Sequence, residues 1–428
     1  MSGVLPMYKR SDLDNGVRVV THKMSGRQSL AIGIWINIGG RYEGFENKGI
    51  AHFLEHLLFK GTKKYSHRKI KESIEGIGGA LNGFTSEELT CYLVKIPADY
   101  LDVSLNVLSD MVLNPVIPAE EVEKEKTVIL EELKMYKDQP QSYVYDLLDE
   151  LLWPKQPLGA PIIGSVESVS RVSKDALHSF RDSYYTPANI VISAAGTLDH
   201  NNLASKALKI FRSLKRENRN VFVKAKELQI LPQLKLFSKD TEQTHMALGF
   251  HSLSREDPLK HALGMLHIIL GANMSSRLFE EVREKRGLAY EIGTSLKRFL
   301  DTGAFLVHAG IDNKKVIDSL ELILAQLKKT KEELVSADEL KRAKEFYLGQ
   351  LKLALEDTLD NMLWIGESTA SLDKTYALEE VINEVNKVKR EDLCKVAKHV
   401  FQGKKLNLSL IGPLKDIEQD IYDKLKVD

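Results

Sequence analysis

The sequence repeats itself across its midpoint, and this duplication limits what the chain can fold into more than any other feature. VSRVSKDALHSF from Val169 resembles VNKVKREDLCKV from Val385, an offset of 216, and the following runs NIVISAAGTL and KLNLSLIGPL keep that offset. IPADYLDVSLNVLSDM from Ile96 resembles IDNKKVIDSLELILAQ from Ile311, an offset of 215. Three matching segments in the same order imply two homologous domains, as does a length of 428 residues, too great for a single core. The charged stretch LKRENRNVFVKAKEL, residues 214–228, is the natural joint, so the expected domains are 1–215 and 229–428.

Within each half, strand-like runs such as YLVKIP, FLVHAGI, NIVISAAG and LNLSLIG alternate with long amphipathic helical patterns. Several connections are short, which favours an α+β fold with mostly antiparallel sheets over a doubly wound parallel one. The strand order is not legible. Sixty basic residues balance sixty acidic ones, so no net field draws in nucleic acid or an anionic membrane, and neither is an expected partner. The first residues, MSGVLPMYKRSDLDNG, lack the apolar core of a signal peptide, and only two cysteines occur. A cytoplasmic location is the expectation.

The chemistry concentrates in Ile50-Ala-His-Phe-Leu-Glu-His-Leu-Leu-Phe59. Ile50, Phe53, Leu54, Leu57 and Leu58 form one apolar helical stripe, and His52, Glu55, His56 and Phe59 form another beside it. Side chains four apart on a helix share a face, so both imidazoles can reach one ion, with Glu55 placed to take a proton from a water there. Two histidines leave a zinc site one protein ligand short. Downstream, PAEEVEKEKTVILEEL from Pro118 reads as a helix opening with proline in its first turn. Glu121, Glu125 and Glu132 share a face of it, where like charges repel unless a cation lies nearby. Glu132 then completes the ligand set, and Glu125 orients a histidine or a water.

The second half carries the same scaffold without these groups. An offset of 210 puts Ala262, Met265 and Leu266 opposite His52, Glu55 and His56, and Gln350 falls opposite Glu132. That half is expected to hold no metal, with His267 as a core residue.

The order His-x-x-Glu-His is the inverted zinc-peptidase signature. Together with GGALNGFTSEELTCYLVKIP, EKEKTVILEELKMYKD and MSSRLFEEVREKRGLAYEIGTS, it makes the chain resemble the pitrilysin/insulinase family along nearly its whole length. Within that family the paired halves are most similar to the processing-peptidase branch and its bacterial single-subunit members. The resemblance implies a zinc endopeptidase with one Zn2+ per chain, held by His52, His56 and Glu132 rather than the adjacent Glu131. Glu55 would be the base and Glu125 a supporting carboxylate. It further implies that Asn82 and Phe84 lie where an edge strand pairs with extended substrate, and that Phe59 lines the pocket just beyond the cleaved bond. Arg283 and Tyr290 correspond to a pair that grips the substrate backbone and the developing oxyanion. The implied partners are a peptide or unfolded polypeptide and a second copy of the chain. Members of the fold that serve only as scaffold subunits are the alternative, though such relatives tend to have eroded motifs.

Overall fold

The computed structural model describes residues 8–215, 221–414 and 418–425, so part of the 214–228 joint and the first seven residues lie outside it. The described chain forms two compact units, drawn from Met1–Leu133, Pro161–Val223 and Leu351–Leu378, and from Lys134–Ala160, Lys224–Gln350 and Glu379–Asp428. These units differ from the contiguous halves 1–215 and 229–428. Each takes in one segment from the other half of the sequence.

The first unit is built on six strands: β1 (Tyr8–Asp12), β2 (Arg18–Lys23), β3 (Ser29–Ile36), β4 (Ala80–Thr85), β5 (Thr90–Pro97) and β6 (Ile190–Gly196). Their spatial order is β1-β2-β6-β3-β5-β4. Only β2 and β6 run parallel; the remaining pairs are antiparallel. The second unit holds β7 (Gln233–Ser238), β8 (Gln243–Ser252), β9 (Ala289–Arg298), β10 (Gly303–Asp312) and β11 (Leu406–Gly412), in the order β7-β11-β8-β10-β9. Again a single pair, β7 with β11, is parallel. The second sheet thus reproduces the first without its outermost strand, as the duplication requires. The fold is α+β, with mostly antiparallel sheets and helices.

Both faces of the first sheet are apolar, because alternate residues of its inner strands are hydrophobic in both registers. One face carries Ile32, Ile34 and Tyr92, which are buried in one cluster with Leu105, Leu108 and Val112 of the helix Leu101–Leu113 and with Ile50, Phe53, Leu54, Leu57 and Leu58 of the helix Ile50–Leu58, which packs beside β4. The other face carries Trp35, Cys91 and Val191 and is covered by Met362, Ile365 and Ala370 of the helix Thr358–Leu372. Gly366 lets that helix approach closely, since a side chain there would collide with the Trp35 indole. In the second unit the corresponding helix is Pro140–Leu152, whose Val144, Leu147 and Leu148 pack on Ala247, Leu306 and Ile411. Each sheet is therefore covered by a helix encoded in the opposite half of the chain. Among the described residues no helix is long and apolar enough to cross a membrane.

Candidate metal centre

The helix Ile50–Leu58 starts from Gly49, whose φ of 94° is left-handed and whose α-carbon lies so close to Ile163 that a Cβ would come within 2.5 Å of its carbonyl oxygen. From this start the apolar stripe docks on the sheet, which leaves His52 and His56 on the helix's opposite flank, half-buried, with ring centroids 4.5 Å apart. The helix Ala119–Asp138 brings Glu132 to them: its Oε2 lies 4.0 Å from His52 Nε2 and 3.8 Å from His56 Nε2. These are the only three residues among those described whose ligand atoms cluster as a metal site needs. The separations are too long for hydrogen bonds, yet short enough for one ion with bonds of roughly 2.0–2.1 Å to join each pair of donors. Two neutral-capable imidazoles and a carboxylate are also the donor set that zinc prefers. The residues fit the ion.

The surrounding contacts tune this set. Glu125 is buried, and its Oε1 lies 2.8 Å from His56 Nδ1, so that ring turns its Nε2 toward Glu132. Lys60 Nζ lies 2.6 Å from the other oxygen of Glu125. In the metal-free protein, burial and the neighbouring His56 push the His52 imidazole down to about 4, so it is neutral at pH 7 with its lone pair available. Burial also depresses His56, but the Glu125 hydrogen bond and the Glu55 and Glu132 charges outweigh it and raise the group overall. Burial raises Glu132, partly offset by His56.

Glu55 is 8% exposed on the same helix, and burial raises its carboxyl, the direction that makes it a better proton acceptor. Strand β4 is the free edge of its sheet and runs beside this carboxylate. Thr85 Oγ1 donates to Glu55 Oε2 at 3.1 Å. Gly83 leaves room, because a Cβ there would stand 3.0 Å from Phe59 Cζ and 3.1 Å from Glu55 Oε1.

Phe59 lies just past the helix's last residue rather than within it, and packs 6.1 Å from the Tyr92 ring. Asn82 and Phe84 do lie on the edge strand, but strand alternation turns their side chains away from the face that Gly83 and Thr85 present to Glu55. Phe84 packs edge-on against Trp35, ring centroids 5.7 Å apart, on the opposite face of the sheet, and Asn82 Oδ1 accepts from the Gly83 N–H. Neither side chain faces Glu55.

Arg283 and Tyr290 belong to the second unit. Arg283 lies on the π-helical turn Phe279–Glu284 and Tyr290 on β9, an edge strand, with the guanidinium carbon 5.5 Å from the Tyr290 ring centroid. The Tyr290 side chain is well exposed. Ala262, Met265 and Leu266, opposite the metal motif in the repeat, are buried apolar residues, and His267 Nδ1 lies 2.7 Å from Thr294 Oγ1. Sequence reasoning missed Lys60, Gly83 and Thr85. Lys60 stands four residues after His56, the spacing that would have marked it.

Residues 18–166 match the family described as insulinase (peptidase family M16), and residues 171–347 match the peptidase M16 inactive domain. The chain is 37% identical over 407 residues to the uncharacterized zinc protease YmxG of Bacillus subtilis, covering 95% of this chain and 98% of that one. It is 35% identical over 414 residues to an uncharacterized zinc protease of Streptomyces coelicolor, covering 95% and 90%. Among solved structures, a protease from Helicobacter pylori superposes with a TM-score of 0.90 at 24% identity, over 96% of this chain and all of that one. The chain belongs to the M16 (pitrilysin/insulinase) peptidase family, of the bacterial single-subunit type.

Proposed function

We propose that this chain is a zinc-dependent endopeptidase that hydrolyses extended peptides or unfolded polypeptide segments, with one Zn2+ per chain held by His52, His56 and Glu132. One observation carries the reading: two imidazole nitrogens and a carboxylate oxygen face one another on the sheet face where a buried carboxylate, Glu55, stands beside an open strand edge. The names of the relatives point the same way.

Zinc, when bound, supplies a Lewis-acid charge that acidifies water and polarises a peptide carbonyl. The chain's own residues do the rest. The edge of β4 adds an extended substrate segment through backbone hydrogen bonds. Glu55, raised by burial and oriented by Thr85, accepts a proton from water and later delivers it to the departing amine. Phe59, with the space left by Gly83, borders the side chain just beyond the cleaved bond. Glu125 keeps His56 Nε2 turned inward. Arg283 and Tyr290 hold the substrate backbone and stabilise oxyanion charge, supplied by the second copy in a cytoplasmic homodimer that encloses the peptide.

The test is cleavage of a quenched fluorescent peptide pool by the purified full chain, with and without a chelator, and by Glu55→Gln. Cleavage that stops with chelator, returns with zinc and falls at least about a hundredfold in Glu55→Gln is expected. Zinc binding without cleavage would instead favour a scaffold subunit of the same fold.

A further inference from the structure

The segment just before the metal-motif helix buries Arg41, Glu43 and Lys48, with Glu88 from the turn after β4 as a fourth charge, and none takes part in the proposed reaction. Lys48 Nζ lies 3.4 Å from Glu43 Oε2 and donates to the Gly40 carbonyl at 2.6 Å. Arg41 Nη1 donates to Glu88 Oε1 at 2.6 Å. All four residues are at most 4% exposed. Buried ion pairs are expensive to desolvate and weak as sources of net stability, so two of them meeting at one short segment call for another explanation. The Glu43 contacts supply one. Its Oε1 accepts from the Ala51 N–H at 2.7 Å and its Oε2 from the Gly49 N–H at 3.0 Å. Gly49, at the start of the helix Ile50–Leu58, has no side chain to cap it, and Glu43 does so from six residues upstream. A carboxylate there also meets the positive end of the helix dipole. Burial pushes the Glu43 carboxyl up and the Lys48 ammonium down, and their mutual attraction opposes both shifts.

The same turn is tied to the strand that bears Thr85. Gly40 N–H donates to the Ser86 carbonyl at 3.0 Å and Arg41 N–H to the Glu87 carbonyl at 2.8 Å. Residues 40–43 therefore hold at once the helix carrying His52, Glu55 and His56 and the end of β4.

We infer that Glu43, neutralised by Lys48, is a positioning residue: it fixes the start of the metal-motif helix, so that His52, His56 and Glu55 stand in place before the metal arrives. This rests on the zinc-peptidase reading above. It acts through the helix backbone and touches neither ion nor substrate.

Two measurements test it on the full chain. In wild-type protein stripped of metal, hydrogen exchange should show the Gly49 and Ala51 amides already protected, with little further change on adding zinc. Free exchange that becomes slow only with zinc would overturn the inference. The variant E43Q/K48M removes both charges and keeps one acceptor. It should remain folded, bind zinc about tenfold more weakly in chelator competition, and give an altered cobalt(II) absorption spectrum. A folded double variant with wild-type zinc affinity and an unchanged cobalt spectrum would also overturn it. Should the variant fail to fold, the wild-type exchange result decides. Should wild-type protein bind no zinc, the zinc-peptidase reading falls instead, and the exchange data still report on whether Glu43 orders the helix.

Discussion

Thr85 Oγ1 and Glu55 Oε2 are joined by a hydrogen bond of 3.1 Å between an edge strand and the helix that carries both metal-motif histidines. The bond leaves Glu55 one favoured orientation. An orienting contact of roughly 1 kcal/mol corresponds to about fivefold in rate. Thr85→Val is therefore expected to lower kcat about fivefold with zinc content unchanged, while Thr85→Ser stays near wild type. Steady-state kinetics on one fluorogenic peptide check this, and equal kcat for the valine variant would remove Thr85 from the machinery.

Lys60 secures Glu125 from the side opposite His56. Without the ammonium, Glu125 has less reason to hold the rotamer that turns His56 inward. Lys60→Met should weaken zinc binding by about tenfold, the lower end for groups that support a ligand. Titration against a competing chelator reads this directly.

If Arg283 and Tyr290 serve the site of a second copy, two defective subunits can repair each other. Arg283→Ala and Glu55→Gln proteins, each inactive alone, should regain part of the wild-type peptidase rate when mixed. Native mass spectrometry would establish that subunits exchange; exchange without recovered cleavage would place both contributions in one chain.

The second unit should carry an acid-sensitive pin. Arg277 Nε and Nη2 donate to the two Glu339 oxygens at 2.7 and 2.9 Å, and the Ser336 N–H adds a third bond at 2.9 Å. The Arg277 hydrogen bond above all lowers the Glu339 carboxyl to about 2. A carboxyl lowered by folding contributes stability above its unfolded value and loses it as pH falls through its folded one. The contribution should therefore fade between about pH 4.5 and 2. Glu339→Gln should lower the unfolding temperature at pH 7 and converge with wild type near pH 2, as followed by circular dichroism.

Much of this was legible because it is local. The i, i+4 spacing of His52 and His56 and the apolar stripe beside them specify a helix with one buried and one chemical face. The strands YLVKIP and FLVHAGI became β5 and β10, and the duplicated segments became matching sheet orders. What stayed hidden is nonlocal. Thr85 reaches Glu55 only because β4 folds back beside the helix, and the face that Phe84 takes, against Trp35, depends on a register that no local pattern displays. Glu43 caps a helix from outside the usual capping position, so no motif flags it.

The exchange of covering helices makes the two halves of the polypeptide mutually dependent. A fragment ending at residue 215 would leave Trp35, Cys91 and Val191 bare where Met362 and Ile365 now lie, and the complementary fragment would strip Leu306 and Ile411 of Leu147 and Leu148. Gene duplication here did not yield separable modules: during synthesis the first sheet must wait, one face wet, until more than 350 residues have been made.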